Sequence, residues 1–440
     1  MSFREKTESV KLPDFWPDKD TMTDSSTLNI EWASQEQING TQSLVQSHLY
    51  YNSYAGVRIH GIYVRPASIP EGTTIPGMIL VHGGGYNHEQ VYPLGKYLAE
   101  ILGFGILCID SPGVSSGNWS SSGYPETASS CTNVTGLDGP RGSFYYHNVI
   151  ALLRGVTVLQ SLPEINASLV GLGGFSGGGI ASLIANGVES KYQRLKFSVH
   201  MAVAGQWTED FPGKSPVDWY ILERGSEKCR IFLESFDPIN YAALAHAPAL
   251  MVDITNDQFF DLEQIRQTFK ALPESKANAL SIHVNLDHWF LKYSKFWEPV
   301  KEWCQIIVRG EDPIPIPEID RATKKNNSIS ITVKQAFDPR IDAISMISNV
   351  KDLRNVYDWN STEQPVQEGQ ATYTWKLDSV STDEYAFYLA VISNDVLLFT
   401  SLPVFNDELK TSEWSVSGIL AALALIPAKI KHGWKKKLDE

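Results

Sequence analysis

The stretch Gly174-Phe175-Ser176-Gly177-Gly178 fits the pattern G-x-S-x-G, and six glycines fall between residues 171 and 179. Glycine weakens both strands and helices, so a run this dense marks backbone that must take a shape other residues resist. An apolar run, 169–172, precedes the serine, and a helical pattern, 180–185, follows it. A serine on a sharp strand-to-helix turn holds its hydroxyl clear of the sheet edge, and small neighbours let the chain pass close to itself. The helix that begins there turns its positive end toward the hydroxyl. Such a serine becomes a nucleophile when a base and a site for a developing oxyanion stand beside it.

Candidates for both are present. Val81-His82-Gly83-Gly84-Gly85-Tyr86 follows the apolar run 78–81. Bare glycine amides can turn toward a negative oxygen, so Gly84 and Gly85, with Tyr86 as a further contributor and Gly177 just after the serine, are the expected oxyanion donors. His82 precedes the loop and reads as an orienting residue. The base is expected at His288, in Val284-Asn285-Leu286-Asp287-His288-Trp289, just past the last strand, at the edge where sites of open α/β sheets collect. His283 alternates within that strand, and His246 precedes a strand, at the opposite edge. The acid that orients the base is expected at Asp257, in Thr255-Asn256-Asp257-Gln258-Phe259-Phe260-Asp261, just past the strand 250–254. Asp253 lies inside that strand, and capping of the next helix explains Asp261. Ser176 would attack an ester carbonyl, His288 would take its proton, and Asp257 would fix the imidazole tautomer.

These residues need a scaffold. Residues 45–66 alternate and break at Ala55-Gly56, which suggests a hairpin. Apolar runs at 78–81, 105–109, 169–172, 197–203, 250–254 and 280–284 are then separated by helical patterns, with 294–308 as a closing helix. Strands alternating with helices predict a doubly wound, mostly parallel sheet covered on both faces. Residues 1–40 are polar and weakly patterned and read as an N-terminal arm, ahead of a catalytic domain over 41–312. Past the proline-spaced PIPIPEI, short alternating strands (328–333, 371–377, 385–391, 396–402) predict a small all-β sandwich over 313–408. Residues 409–440 read as an apolar, then basic, tail helix, too short in its apolar part for the ~20 residues of a spanning helix. Packing is the first expectation for this tail and contact with a membrane surface the second.

The chain has 440 residues, 43% hydrophobic and 20% charged, which accommodates two domains with a sizeable core. A net charge of −13 argues against a nucleic-acid partner. The four cysteines form no zinc pattern. Cys108 reads as a buried thiol, and Cys131 and Cys229 fall in loop-like sequence where pairing is open. The N-terminus lacks the apolar core of a signal peptide, which points to the cytoplasm. Two insertions are expected to shape the substrate site: 115–143, and a cap over 206–241 whose Trp207, Trp219 and Tyr220 either line a pocket or pack the cap.

The loop, the serine turn and the order Ser, Asp, His over residues 45–308 resemble the α/β-hydrolase superfamily. Within it, Asp110-Ser-Pro-Gly113, the helix NVIALLRGVTVLQSLPEIN and TNDQFF resemble the acetyl xylan esterase and dienelactone hydrolase-like esterases. This sequence departs from their frequent S-Q-G-G in having three glycines after Ser176. The C-terminal sandwich resembles immunoglobulin-like appendages of some secreted hydrolases. The resemblance implies a serine esterase for short-chain or carbohydrate-linked esters that needs no metal or organic cofactor. A serine peptidase of the same fold, and a binding or adhesion protein on a hydrolase scaffold, are the competing expectations. The oligomeric state is left open.

Overall fold

The computed structural model describes residues 11–39, 43–54, 56–122, 136–207, 223, 225–325, 327–349, 359–380, 385–405 and 414–415. The chain divides into two units, Leu12–Pro313 and the residues from Ile314 on.

The first unit is built on a nine-stranded sheet of order β1-β2-β3-β5-β4-β8-β9-β10-β11. Strands β1 (Glu31–Asn39), β2 (Ser43–Asn52) and β3 (Arg58–Pro66) form an antiparallel meander. Then β4 (Ile75–Val81), β5 (Gly105–Ile109), β8 (Ile165–Phe175), β9 (Phe197–Met201), β10 (Ala249–Ile254) and β11 (Ala279–His283) run parallel. A short ribbon of β6 (Ser115–Ser116) and β7 (Trp119–Ser120) stands apart from the sheet. The parallel strands are buried end to end, apart from the start of β4 and of β8. A strand covered on both faces reads as a continuous apolar run. The covering helices include α2 (Tyr92–Leu102), α3 (Phe144–Ser161) and α4 (Gly177–Val188). The chain leaves β4 for β5 on one side and returns to β8 on the other, so a crevice opens at the carboxyl ends of β4 and β8, where ligands bind in such sheets.

Over residues 11–39 the N-terminal segment forms regular structure where an arm is expected. Asp18 caps the short helix α1 (Lys19–Thr23), accepting the N–H of Thr21, and β1 extends the sheet. Trp16 is buried, stacks on Tyr146 at 5.3 Å and donates to the Tyr241 hydroxyl at 3.1 Å. Arg154 on α3 donates to the carbonyls of Thr21, Met22 and Asp24. A few large anchors and one buried guanidinium hold this segment, and β1 is an exposed edge strand on both faces, so neither leaves a hydrophobic period to read. Within the expected cap, helices α5 (Glu227–Phe236) and α6 (Pro238–Ala242) form.

The described residues of the second unit are all-β. One antiparallel sheet has the order β16-β13-β12-β20 and a second joins β15, β14, β17, β18 and β19. The first contains β12 (Glu318–Lys325), β13 (Ser328–Lys334), β16 (Thr372–Asp378) and β20 (Trp414–Ser415). The second contains β14 (Ala343–Asn349), β15 (Asn360–Pro365), β17 (Ala386–Ser393), β18 (Val396–Thr400) and β19 (Val404–Phe405). Trp414 and Ser415 pair with Ala322 and Arg321 where a tail helix is expected; the pairing covers what is otherwise an open edge. The rest of the tail lies outside the described residues. No described helix is long and apolar enough to cross a membrane.

Candidate active site

Three strand ends meet around Ser176. It follows β8, carries φ 54° and ψ −118°, and is the residue from which α4 starts. A non-glycine residue there stores about 1–3 kcal/mol of strain, and the surroundings impose it. A Cβ on Gly174 would lie 2.2 Å from the Gly178 carbonyl oxygen, and one on Gly178 would lie 2.4 Å from that of Val81. The dense glycines therefore let the turn fold onto itself and onto the end of β4. Ser176 N–H is held by the Met201 carbonyl at 2.8 Å.

Ser176 Oγ–H donates to His288 Nε2 at 2.8 Å, and His288 Nδ1–H donates to Asp257 Oδ2 at 2.7 Å. His288 follows β11 and Asp257 follows β10, so parallel neighbours deliver both to one edge. The other Asp257 oxygen accepts the N–H groups of Phe259 (2.7 Å) and Phe260 (3.2 Å). His288 is wholly buried among Phe175, Phe259 and Trp289, with ring centroids 5.4, 4.6 and 5.1 Å away. Asp253, also buried, accepts Val203 N–H instead. Burial, then the nearby Asp257, pushes the Asp253 carboxyl well above the usual range. Asp261 caps α7 (Leu262–Ala271) in a reciprocal box with Gln264. His283 bonds Ser281, and His246 lies ahead of β10.

On the other side of Ser176 stands the glycine loop. The nitrogen of Gly84 lies 3.1 Å from where a Cβ on Gly177 would be. Gly177 begins α4, so its N–H has no partner within the helix. Gly85 takes φ 77° and carries the loop outward. Tyr86 differs from expectation: its N–H turns back to the Gly83 carbonyl at 3.3 Å, closing a turn, and its exposed ring lies 5.5 Å from Trp289. Tyr86 and Trp289 are thus paired aromatics at the rim, a placement that needs the loop's fold. A cavity of about 580 Å³ opens beside the loop, lined among others by Gly84, Gly177, Ser111, Phe144 and Asn148. Asn148 is buried and its Oδ1 has no hydrogen-bond partner among the described residues. Nothing in the spacing of α3 singles it out, because it sits in a helix buried nearly all round.

Trp207 does not line this cavity. It is buried, stacks on Phe232 at 5.3 Å, and donates Nε1–H to the Ala204 carbonyl at 2.9 Å. It packs the start of the insertion onto α5. Trp219, Tyr220 and Cys131 lie outside the described residues; Cys229 is buried on α5.

A group with ligand atoms suited to a metal is His60, His88 and Asp110, all buried and within 4.8 Å of one another. Their contacts are 2.7 Å from His60 Nδ1 and 3.0 Å from His88 Nδ1 to the carboxylate. Ligands 2.0–2.1 Å from a tetrahedral zinc stand about 3.3 Å apart. The shorter spacing is that of direct hydrogen bonds, and each Nδ1–H already has its acceptor.

The sheet order, the crossover and the covering helices give the first unit the α/β-hydrolase fold. Residues 3–201 match the family model of the acetyl xylan esterases, which includes the N-terminal segment, and residues 204–354 match that of the PhoPQ-activated pathogenicity-related proteins. The fold is similar to an acetyl xylan esterase from a Paenibacillus species (TM-score 0.52, 19% identity, covering 65% of this chain and 91% of that one). It is equally similar to acetyl xylan esterase 1 from a Thermoanaerobacterium species (TM-score 0.52, 16% identity, 66% and 95%). A curated relative, an uncharacterized peptidase (YuxL) of Bacillus subtilis, is 25% identical over 235 residues, 52% of this chain. The match spans only about a third (33%) of that relative's length.

Proposed function

We propose that the protein hydrolyses short-chain or carbohydrate-linked carboxylic esters through Ser176, His288 and Asp257. The observation that carries this reading is the hydrogen-bonded series from Asp257 through His288 to Ser176, at 2.7 and 2.8 Å, beside the backbone amides of Gly84 and Gly177. Ser176 Oγ attacks the ester carbonyl as its proton passes to His288 Nε2. Asp257 holds the proton on Nδ1, which keeps the Nε2 lone pair aimed at the hydroxyl and stabilises the imidazolium. Negative charge develops on the former carbonyl oxygen beside the amides of Gly177 and Gly84, with Gly85 next in the loop. The tetrahedral intermediate collapses, His288 protonates the departing alcohol, and an acyl-serine remains. Water, deprotonated by His288, releases the acid and restores Ser176.

The matched family, named for acetyl xylan, supports a short acyl group. The test is hydrolysis of p-nitrophenyl acetate, butyrate and octanoate by wild type and Ser176→Ala. Activity on the shorter esters, lost in the variant, is expected. Equal rates in both proteins, or no reaction of the wild type with a serine-directed phosphonate, would sink the reading. The relative named as a peptidase motivates one rival, a peptidase using the same serine; turnover of aminoacyl p-nitroanilides in preference to esters would favour it.

A further inference from the structure

Behind the glycine loop lies a buried cluster that the reaction scheme leaves unused. Asp110 follows β5 and is wholly buried. Its Oδ1 accepts the backbone N–H of His88 at 2.7 Å, and both its oxygens accept His88 Nδ1–H at 3.0 Å. Its Oδ2 also accepts His60 Nδ1–H at 2.7 Å. His60 Nε2 in turn accepts Nδ1–H of His48 at 3.0 Å, and the His48 ring is stacked on Trp119 at 4.1 Å. The next residue, Ser111, donates its N–H to His82 Nε2 at 3.0 Å, and His82 Nδ1–H donates to the Gly83 carbonyl at 2.7 Å. Gln90 Oε1 closes the far side by accepting Gly83 N–H at 2.7 Å.

Two consecutive residues at one strand end, Asp110 and Ser111, therefore grip both ends of the stretch 83–88. Between the grips lie Gly83, Gly84 and Gly85. The last two are exposed and have no side chain to pack, so the ends decide where the Gly84 amide stands. Burial pushes the Asp110 carboxyl up, but the hydrogen bonds from His60 and His88 outweigh it and hold the group well below the usual range. The resident form is the anion, which accepts every donor aimed at it; an amide in its place would turn NH2 toward some of them.

We propose that Asp110, with His88 and, behind it, His60, is the positioning unit of the oxyanion loop. It touches no substrate. It fixes the Gly84 amide relative to Ser176, and so sets how well the enzyme stabilises the tetrahedral oxyanion. The inference rests on the reading of Gly84 as an oxyanion donor given above.

The experiment compares wild type with Asp110→Asn, His88→Gln and His60→Gln. The control, Asn186→Ala, removes buried hydrogen bonds to Ser198 and to the backbone of Ala247. For each, kcat and KM on p-nitrophenyl acetate, the Ki of a phenylboronic acid that mimics the tetrahedral adduct, and the unfolding temperature are measured. A displaced donor costs about 10²-fold in kcat. Asp110→Asn is expected to lose that factor with KM changed less than about threefold, and the boronate Ki is expected to rise in proportion. The losses should rank Asp110, His88, His60, following directness of contact with the loop. Should Asp110→Asn fail to fold, His88→Gln carries the test, because it keeps the backbone N–H on Asp110. A folded Asp110→Asn with kcat within about threefold of wild type overturns the proposal. So does a kcat loss with unchanged boronate affinity, or an equal loss in the Asn186→Ala control. A wild type inert toward esters and phosphonate overturns instead the functional reading beneath it.

Discussion

Replacing Asp257 by asparagine should switch the imidazole to the wrong tautomer, and the size of the effect can be worked from the contacts. One carboxylate oxygen accepts Phe259 and Phe260 N–H, and the other accepts His288 Nδ1–H. Asparagine offers one acceptor and one NH2. The two backbone donors cannot rotate, so they claim the oxygen and the NH2 faces His288. His288 Nδ1 must then accept, and the proton moves to Nε2, where it blocks proton transfer from Ser176. Turning the amide over would present NH2 to two N–H groups and leave both unsatisfied, at about 1–3 kcal/mol each. A total near 4 kcal/mol corresponds to about a 10³-fold fall in kcat at neutral pH. The assay is p-nitrophenyl acetate turnover, normalised to phosphonate-titratable sites, with the unfolding temperature as control. Asp261→Ala is the companion variant. It removes a helix cap and should cost about 1 kcal/mol of stability while leaving kcat unchanged. An Asp257→Asn enzyme folded normally and within about tenfold of wild type would refute the tautomer argument.

Gly178→Ala should destabilise the first unit by about 3 kcal/mol or prevent folding, because its Cβ would press on the backbone carbonyls of Val81 and His82 at 2.4 and 2.5 Å; a thermal melt within about 2 °C of wild type contradicts this. Burial holds the rings of His200 and His283 down at about 3, with Lys295 adding to the effect on the second. The unfolded chain therefore binds protons that the folded one refuses. Their contribution is complete above the ordinary histidine value of 6.5 and is lost as pH falls from there toward 3. The two together give a slope of about 3 kcal/mol per pH unit. Buried Asp237 and Asp253, raised in the folded state, act in the opposite sense over this range, so the test is a difference: from pH 6 to pH 4 the urea-unfolding free energy of His200→Gln should fall by about 1.4 kcal/mol per pH unit less than that of wild type. Asn148→Leu removes a buried oxygen that no described residue satisfies, so the unfolding temperature should stay level or rise. Its KM for acetylated sugars should increase while that for p-nitrophenyl acetate does not; a parallel change in both would show that Asn148 meets no substrate hydroxyl.

Much of this molecule is written locally. The alternation of apolar runs with helical patterns specifies the parallel sheet, because a strand buried on both faces and a helix packed over it differ in period and length alone. The turn at Ser176 is equally legible, since the need for glycine at 174 and 178 arises from backbone atoms a few residues away and from one neighbouring strand end. Placement just past strand ends directs attention to Asp257 and His288, and parallel strands carry both to the edge where Ser176 stands. Sequence could not distribute residues whose roles depend on distant partners. Trp207 is apolar enough for a pocket and for a core, and only its contact with Phe232 decides between them. The edge strand β1 has no buried face and so no period, and the segment before it is held by Arg154, more than a hundred residues away. His48, His60, His88 and Asp110 come from four separate stretches of chain. A buried polar cluster has no repeat and no spacing rule, because each member is specified by donors and acceptors that only the folded chain brings within 3 Å.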